Sequence, residues 1–228
     1  MSGKTASIIG STGMVGEQLL GQLLADETFE TVRTLVRRPD TRKHPKQEVK
    51  LVDFSDTESV KLALDGSDVI FCCIGTTQKN VKGDNALYRR IDFDIPVNAA
   101  RLGKETGCEK FIVITAIGAS SKSSNFYLKL KGEVEDALEA LKLQTVHIFQ
   151  PSLLMGKRKE YRLAERAFQG VFKVVNGLFF GGWRRYRGIK GSTLATAMIN
   201  AAKQPAPGFF RHTYDAIVTL AAAPKGSS

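Results

Sequence analysis

A chain of 228 residues, 43% of them hydrophobic and 25% charged, has the composition of a globular protein with one large or two small domains. Its longest apolar stretches are broken by charge or glycine, which excludes a membrane-spanning helix. The net charge of +10 suits phosphorylated ligands, nucleic acid or an acidic membrane, but a solvated basic face ranks above either macromolecular partner.

The apolar run Ala6 to Ile9 predicts a buried strand near the N-terminus. It leads into Gly10-Ser11-Thr12-Gly13-Met14-Val15-Gly16, then into a helix with Leu19, Leu20, Leu23 and Leu24 on one face. In such a strand–turn–helix, Gly10 allows the tight turn and Gly13 lets the main chain approach a pyrophosphate. Gly16 lets the helix pack close to the sheet. The N–H groups of Thr12, Gly13, Met14 and Val15 then face the anion from a helix N-terminus. A second strand, Thr31 to Val36, follows at the distance of a βαβ unit, so the glycine pattern reads as a dinucleotide site.

A third strand, Val49 to Val52, ends at Asp53, and Ser55 with Glu58 forms a capping box ahead of a helix carrying Val60, Leu62 and Leu64. Asp68 to Ile74 reads as a strand covered on both faces. A long helical stretch runs from Asn85 to Thr106, with Pro96 as the point of a kink or break. Phe111 to Thr115 is the next strand, Asn125 to Leu141 a helix, and Thr145 to Phe149 a strand that stops before Pro151. This alternation predicts an α/β fold, a doubly wound parallel sheet flanked by helices, with ligands beyond the C-terminal ends of the strands. Further on, Glu160 to Asn176 looks helical, Gly177 to Gly191 looks like loops, and Ser192 to Ala202 looks like another helix. One domain is expected over residues 1–223, with 156–191 as a substrate-side segment and 224–228 as a frayed tail.

Cys72 and Cys73 sit together on an apparently buried strand and Cys108 stands alone, which reads as structural thiols in a reducing compartment. With the first strand so close to the N-terminus, the expectation is a cytoplasmic protein. His44, His147 and His212 have no ligand spacing, and no metal site is expected.

The strand ends carry the chemistry. A nicotinamide-binding protein that prefers NAD places an acid after its second strand, against the ribose 2′-hydroxyl. Here that strand ends Val36-Arg37-Arg38, and two guanidinium groups favour a 2′-phosphate, hence NADP. Asp53, beside Phe54, is placed either to accept from the adenine amino group or to cap a turn. Gly75-Thr76-Thr77 offers small residues for a cofactor lying across the sheet edge. Tyr127 and Lys131, four apart on a helix, share one face. An ammonium there lowers the phenol pKa and lets Tyr127 exchange a proton with a substrate oxygen, while Lys131 also holds the ribose.

Taken together, Gly10-x-x-Gly13-x-x-Gly16, Gly75-Thr76-Thr77 and Tyr127-x-x-x-Lys131 resemble the atypical branch of the short-chain dehydrogenase/reductase superfamily. Ser123-Ser-Asn-Phe-Tyr127, Lys131-Gly-Glu-Val-Glu135 and Gln150-Pro151-Ser-Leu-Leu resemble, more narrowly, the HTATIP2/TIP30-like oxidoreductase family. The likeness spans residues 5–220 and is strong to Gly156. It implies that Tyr127 is the catalytic acid/base, that Lys131 is its partner, and that the backbone around Pro151 lies near the nicotinamide. It also implies a serine twelve residues before the tyrosine, where this chain has Thr115; Ser120 or Ser121 could stand in from the loop.

The resulting expectation is a Rossmann-like NADP(H)-dependent oxidoreductase acting on a carbonyl or alcohol. Thr115 would polarise the oxygen, and the Phe and Trp183 content of residues 156–191 suggests a partly apolar substrate. The rival is an NADPH-responsive regulator of a protein partner, with little turnover. Apolar helices such as Asn85 to Thr106 and Asn125 to Leu141 are compatible with a homo-oligomer and equally with completing the chain's own core. Binding of nucleic acid or membrane through Lys157-Arg158-Lys159, Arg162 and Arg184 to Arg187 ranks last.

Overall fold

A computed structural model describes residues 3–39, 43–155 and 187–223. In chain order the first elements are β1 (Lys4–Ile9), α1 (Met14–Leu24), β2 (Phe29–Val36), β3 (Gln47–Leu51), α2 (Thr57–Leu64) and β4 (Val69–Cys72). Then come α3 (Asn85–Arg89), a π turn (Arg90–Asp94), α4 (Ile95–Glu105), β5 (Lys110–Ile114), α5 (Phe126–Ala140) and β6 (Thr145–Phe149). Last are β7 (Leu153–Met155), β8 (Gly188–Lys190), α6 (Gly191–Lys203), β9 (Gly208–His212) and α7 (Tyr214–Ala222).

Seven strands form one sheet in the order β3-β2-β1-β4-β5-β6-β9, and every neighbouring pair is parallel. The order reverses between β1 and β4, which opens a crevice at their C-terminal ends, the place where such sheets bind ligands. Alternate strand residues feed two cores, one on each face. Ala6, Ile8, Phe71, Ile112 and Phe149 pack under α1, α6 and α7; Ile9, Ile70, Cys72, Phe111 and Val113 pack under α2, α4 and α5. The strands with both faces covered are the apolar runs of the sequence, as burial on both sides requires. The apolar faces of α4 and α5 belong to this core, so the chain itself covers them.

Two local expectations shift. The cap of α2 is Asp56, whose carboxylate accepts from the Glu58 N–H at 3.0 Å. Ser55 is instead held by Asp53, its hydroxyl donating at 2.6 Å, so the Ser55–Glu58 capping box does not form. The stretch expected as one helix from Asn85 runs on through a π turn. Pro96 has no N–H to give to the carbonyl one turn back, and the turn over Arg90–Asp94 widens just before it.

Beyond Pro151 the expected loop at residues 188–190 is a strand, paired in parallel with β7. Strand β9 and helix α7, absent from the sequence reading, close the sheet edge. The expected helix from Glu160 to Asn176, Trp183, the basic group Lys157 to Arg162, Arg184 and Arg185, and the tail from Pro224 lie outside the described residues.

Where β6 meets β9, His147 Nδ1 and His212 Nε2 share a hydrogen bond of 2.9 Å in the core. One N–H serves both rings, so the two cannot both be protonated without losing this bond. Burial, with His212 and Lys110 nearby, lowers the His147 pKa to about 4. Burial also lowers that of His212. Unfolding restores the ordinary value of about 6.5, so the contribution is intact above pH 6.5 and declines as pH falls toward about 4. The His147 part of this loss amounts to about 3 kcal/mol across that window. Urea unfolding of the native chain and of His147→Phe at a series of pH values checks it. A native–variant difference flat from neutrality to pH 4 refutes the linkage.

Candidate functional site

A cleft of about 770 Å³ opens at the C-terminal ends of β1, β2, β4 and β5. Its floor is the glycine loop. Gly10 has φ +86°, and a Cβ there would sit 2.8 Å from the Cys73 carbonyl carbon and the Ile74 nitrogen, so the loop lies directly on the end of β4. A Cβ on Gly16 would come within 2.0 Å of the Gly10 carbonyl oxygen, so this glycine lets the helix close on the loop itself rather than on the sheet. The Gly13 N–H donates to the Gly10 carbonyl at 3.1 Å and is thereby removed from the set expected to face an anion. Gly13 caps α1 without a side chain, and the first-turn N–H groups have no intrahelical acceptor. Ser11 Oγ is buried and has no partner among the described residues. These donors fit a pyrophosphate.

Arg37 and Arg38 follow β2 and line the same cleft, as do Thr12, Met14, Val15, Gly75 and Thr76. Asp53 does not: its carboxylate accepts from the Ser55 N–H at 2.8 Å as well as from the hydroxyl, and Phe54 takes the place at the cleft wall. Of its two expected roles, the turn is the one formed. Pro151 is also absent from the wall. Its carbonyl accepts from the Ile117 N–H at 3.2 Å, and Leu154 is what reaches the cleft from this segment. Ser120 and Ser121 do not line it either.

Helix α5 starts at an Asn125 cap whose side chain accepts from the Leu128 N–H at 3.1 Å. The helix brings Tyr127 and Lys131 to the cleft. A Cβ on Gly132 would overlap the Ser120 backbone at 2.1 Å, so glycine is what allows α5 to lie against the loop after β5. Lys131 is 5% exposed and Asp92 is 1% exposed; Lys131 Nζ lies 2.8 Å from Asp92 Oδ1. The other Asp92 oxygen accepts from the Thr76 N–H at 2.7 Å, and the Tyr88 hydroxyl donates to the Thr76 carbonyl at 3.2 Å.

This changes the expected electrostatics. Burial opposes charge on Lys131, but the Asp92 carboxylate outweighs it and holds the ammonium above its ordinary pKa. Burial also raises the Tyr127 pKa, and the negative charge of Asp92 adds to the effect. The expected lowering of the phenol pKa by Lys131 is therefore reversed, first by burial and then by the Asp92 carboxylate.

Thr115 reaches the cleft, but its hydroxyl donates at 2.7 Å to Glu135 Oε1 rather than being free to donate to a carbonyl. Asp92 and Glu135 were both missed in the sequence, where a charge on a helix reads as solvent-facing. Two signals mark them: Asp92 sits between Ile91 and Phe93, and Glu135 repeats the four-residue step from Tyr127 to Lys131.

A family described as NAD(P)H-binding matches residues 10–175. Protein HTATIP2 of Rattus norvegicus is 32% identical over 213 residues, covering 91% of this chain and 85% of that protein. The mitochondrial protein FMP52 of Debaryomyces hansenii is 34% identical over 203 residues, 88% of each chain. MoeE5, solved with UDP-glucose and NAD, superposes with a TM-score of 0.68 at 13% identity, covering 96% of this chain and 81% of its own. A UDP-glucose 4-epimerase from Thermotoga maritima gives 0.67 at 12% identity, covering 92% and 76%. At such identities these two structures speak for the Rossmann-like fold alone. The fungal relatives, including that of Emericella nidulans, are named mitochondrial, which overturns the cytoplasmic expectation. Reduced cysteines report redox state rather than address. Among the described residues no helix is long and apolar enough to cross a membrane.

Proposed function

Because the chain belongs to the NAD(P)H-binding family, we propose that it is an NADP(H)-dependent oxidoreductase acting on a carbonyl or alcohol in the cleft beside Tyr127. The observation that carries this reading is the convergence of the glycine loop, Arg37, Arg38, Tyr127 and Lys131 on one cleft. The glycine loop and Ser11 would hold the pyrophosphate, and Arg37 with Arg38 the 2′-phosphate. When bound, the nicotinamide supplies or takes a hydride. Tyr127 is protonated at neutral pH and so has a hydrogen to give to a carbonyl oxygen during reduction, although burial makes it a weaker acid than a free phenol. Lys131, fixed by Asp92, is placed to orient a ribose hydroxyl rather than to acidify the tyrosine.

Calorimetric titration tests the cofactor. NADPH is expected to bind more tightly than NADH, and Arg37→Ala and Arg38→Ala are each expected to weaken NADPH by about tenfold or more while sparing NADH. That range corresponds to loss of a charge-assisted hydrogen bond of about 1.5–3 kcal/mol. Equal losses for both nucleotides, or no binding of either, would sink the assignment.

A second reading is an NADPH-binding regulator of a protein partner with little turnover. The engagement of both Thr115 and Lys131 by internal carboxylates favours it, since the Thr115 hydrogen is not free to polarise a carbonyl and the Lys131 charge is not free to acidify Tyr127. Tight NADPH binding without NADPH oxidation across aldehydes, ketones and quinones would select it.

A further inference from the structure

Tyr127, Lys131 and Glu135 stand four residues apart on α5, but Glu135 does not face open solvent: it is 4% exposed. Its Oε1 accepts from Thr115 Oγ1 at 2.7 Å and from Gln150 Nε2 at 2.8 Å. Its Oε2 accepts from Gln150 Nε2 at 3.1 Å and from Arg211 Nε at 3.0 Å. Both oxygens are met by donors, so the carboxylate has no hydrogen of its own to return to Thr115.

A threonine hydroxyl carries one hydrogen and two lone pairs. With that hydrogen directed to Glu135, a ligand group that reaches the Thr115 oxygen from the cleft meets lone pairs. The residue has little freedom to turn away. Its N–H donates to the Phe149 carbonyl at 2.8 Å, which fixes the backbone, and the branch at Cβ restricts the rotamer. Releasing the hydrogen to a ligand carbonyl would give up a charge-assisted hydrogen bond to a buried carboxylate and leave Oε1 with Gln150 as its donor.

We propose that Thr115 binds its ligand as a hydrogen-bond acceptor, that Glu135 is the positioning residue enforcing this, and that the cleft selects a ligand presenting a hydroxyl at that point. The proposal rests on the reading of the cleft as an NADP(H) site, and it narrows the substrate class to hydroxylated compounds: the alcohol of the redox pair, or a carbonyl carrying a second hydroxyl. A carbonyl with acceptors alone finds no donor at Thr115.

The test uses the NADPH-loaded protein, with nucleotide occupancy established first, so that failure of the cofactor reading is seen separately. Cyclohexanol and methoxycyclohexane both offer an oxygen acceptor, neither reacts with NADPH, and only the alcohol has a hydrogen to donate. The native protein is expected to bind cyclohexanol about five- to tenfold more tightly, the worth of one net hydrogen bond. Thr115→Val should bring the ratio to about one and Thr115→Ser should restore it, a rescue that a purely structural role would not produce. Glu135→Met frees the hydroxyl to donate and should raise the affinity of the ether. Should that variant fail to fold, the two threonine variants still decide. Equal native affinities, a ratio unmoved in Thr115→Val, or failure of cyclohexanol to bind at its solubility limit overturns the proposal.

Discussion

Lys131→Met is expected to destabilise the protein by about 3–5 kcal/mol, the usual consequence of stranding one member of a buried ion pair. The magnitude follows from what is left behind. Asp92 is 1% exposed, and without the ammonium the Thr76 N–H is its remaining donor among the described residues. Asp92→Asn strands the opposite charge, and the double variant Asp92→Asn/Lys131→Met removes both, so it should recover much of the loss. Urea unfolding of the four proteins gives the coupling directly. Additive losses would mean that the two side chains do not act as a pair. The Asp92 variant has a second readout. Removing its carboxylate takes away one cause of the raised Tyr127 pKa and leaves an uncompensated cation beside the ring, 6.0 Å from its centroid. If alcohol oxidation is measurable, its pH profile should therefore shift to lower pH in Asp92→Asn.

Gly16→Ala should abolish nucleotide binding with a fall of more than about a hundredfold, the loss of a near-complete set of loop contacts. The added methyl would lie 2.0 Å from the Gly10 carbonyl oxygen and 2.9 Å from the Ser11 Cα, both of them backbone atoms that no rotamer change can move. Either α1 withdraws or the loop deforms, at a cost of about 1–3 kcal/mol or more. Gly21→Ala on the same helix is the control. Nothing lies within 4 Å of a Cβ there, so alanine should stabilise by about 0.5–1 kcal/mol and leave nucleotide affinity alone. Titration with NADPH and thermal melting of the pair check both. Native-like affinity in Gly16→Ala would show that the loop tolerates repositioning and is not the phosphate cradle.

The parts of this fold legible in the sequence are those whose physics is local. Val69 to Cys72 is buried on both faces, and a continuous apolar run is what that burial demands; Thr145 to Phe149 is equally buried and mostly apolar, with His147 paired to His212 inside it. The glycine loop and the Tyr127–Lys131 step show themselves because spacing alone sets their geometry. Three-residue strands such as β7 and β8 carry no period to read, and β9 ends in Arg211 and His212, whose polarity conceals a place in the sheet. The same reason hid half of the site. Asp92 meets Lys131 only because the topology folds α5 beside the π turn, and Glu135 is drawn inward by Thr115, Gln150 and Arg211 from three separate segments. No window of sequence contains those partners. The orientation of the Thr115 hydroxyl belongs to the same class, since its identity is written in the chain and its partner is not.

The π turn ahead of Pro96 works as a phase adjuster. One extra residue in a helix advances every later side chain by about 100°. Here that advance lies between Tyr88, which faces the cleft side and holds Thr76, and the run Ile95, Ala99 and Leu102, which faces the sheet. In an unbroken helix Tyr88, Ile95, Ala99 and Leu102, at steps of seven, four and three, would share one face; the extra residue turns Tyr88 out of line with the other three, toward Thr76 instead of the core under the sheet. The widened turn thus lets one continuous helical stretch serve the cleft with its first part and the core with its second, and Asp92 lies within the turn that divides them.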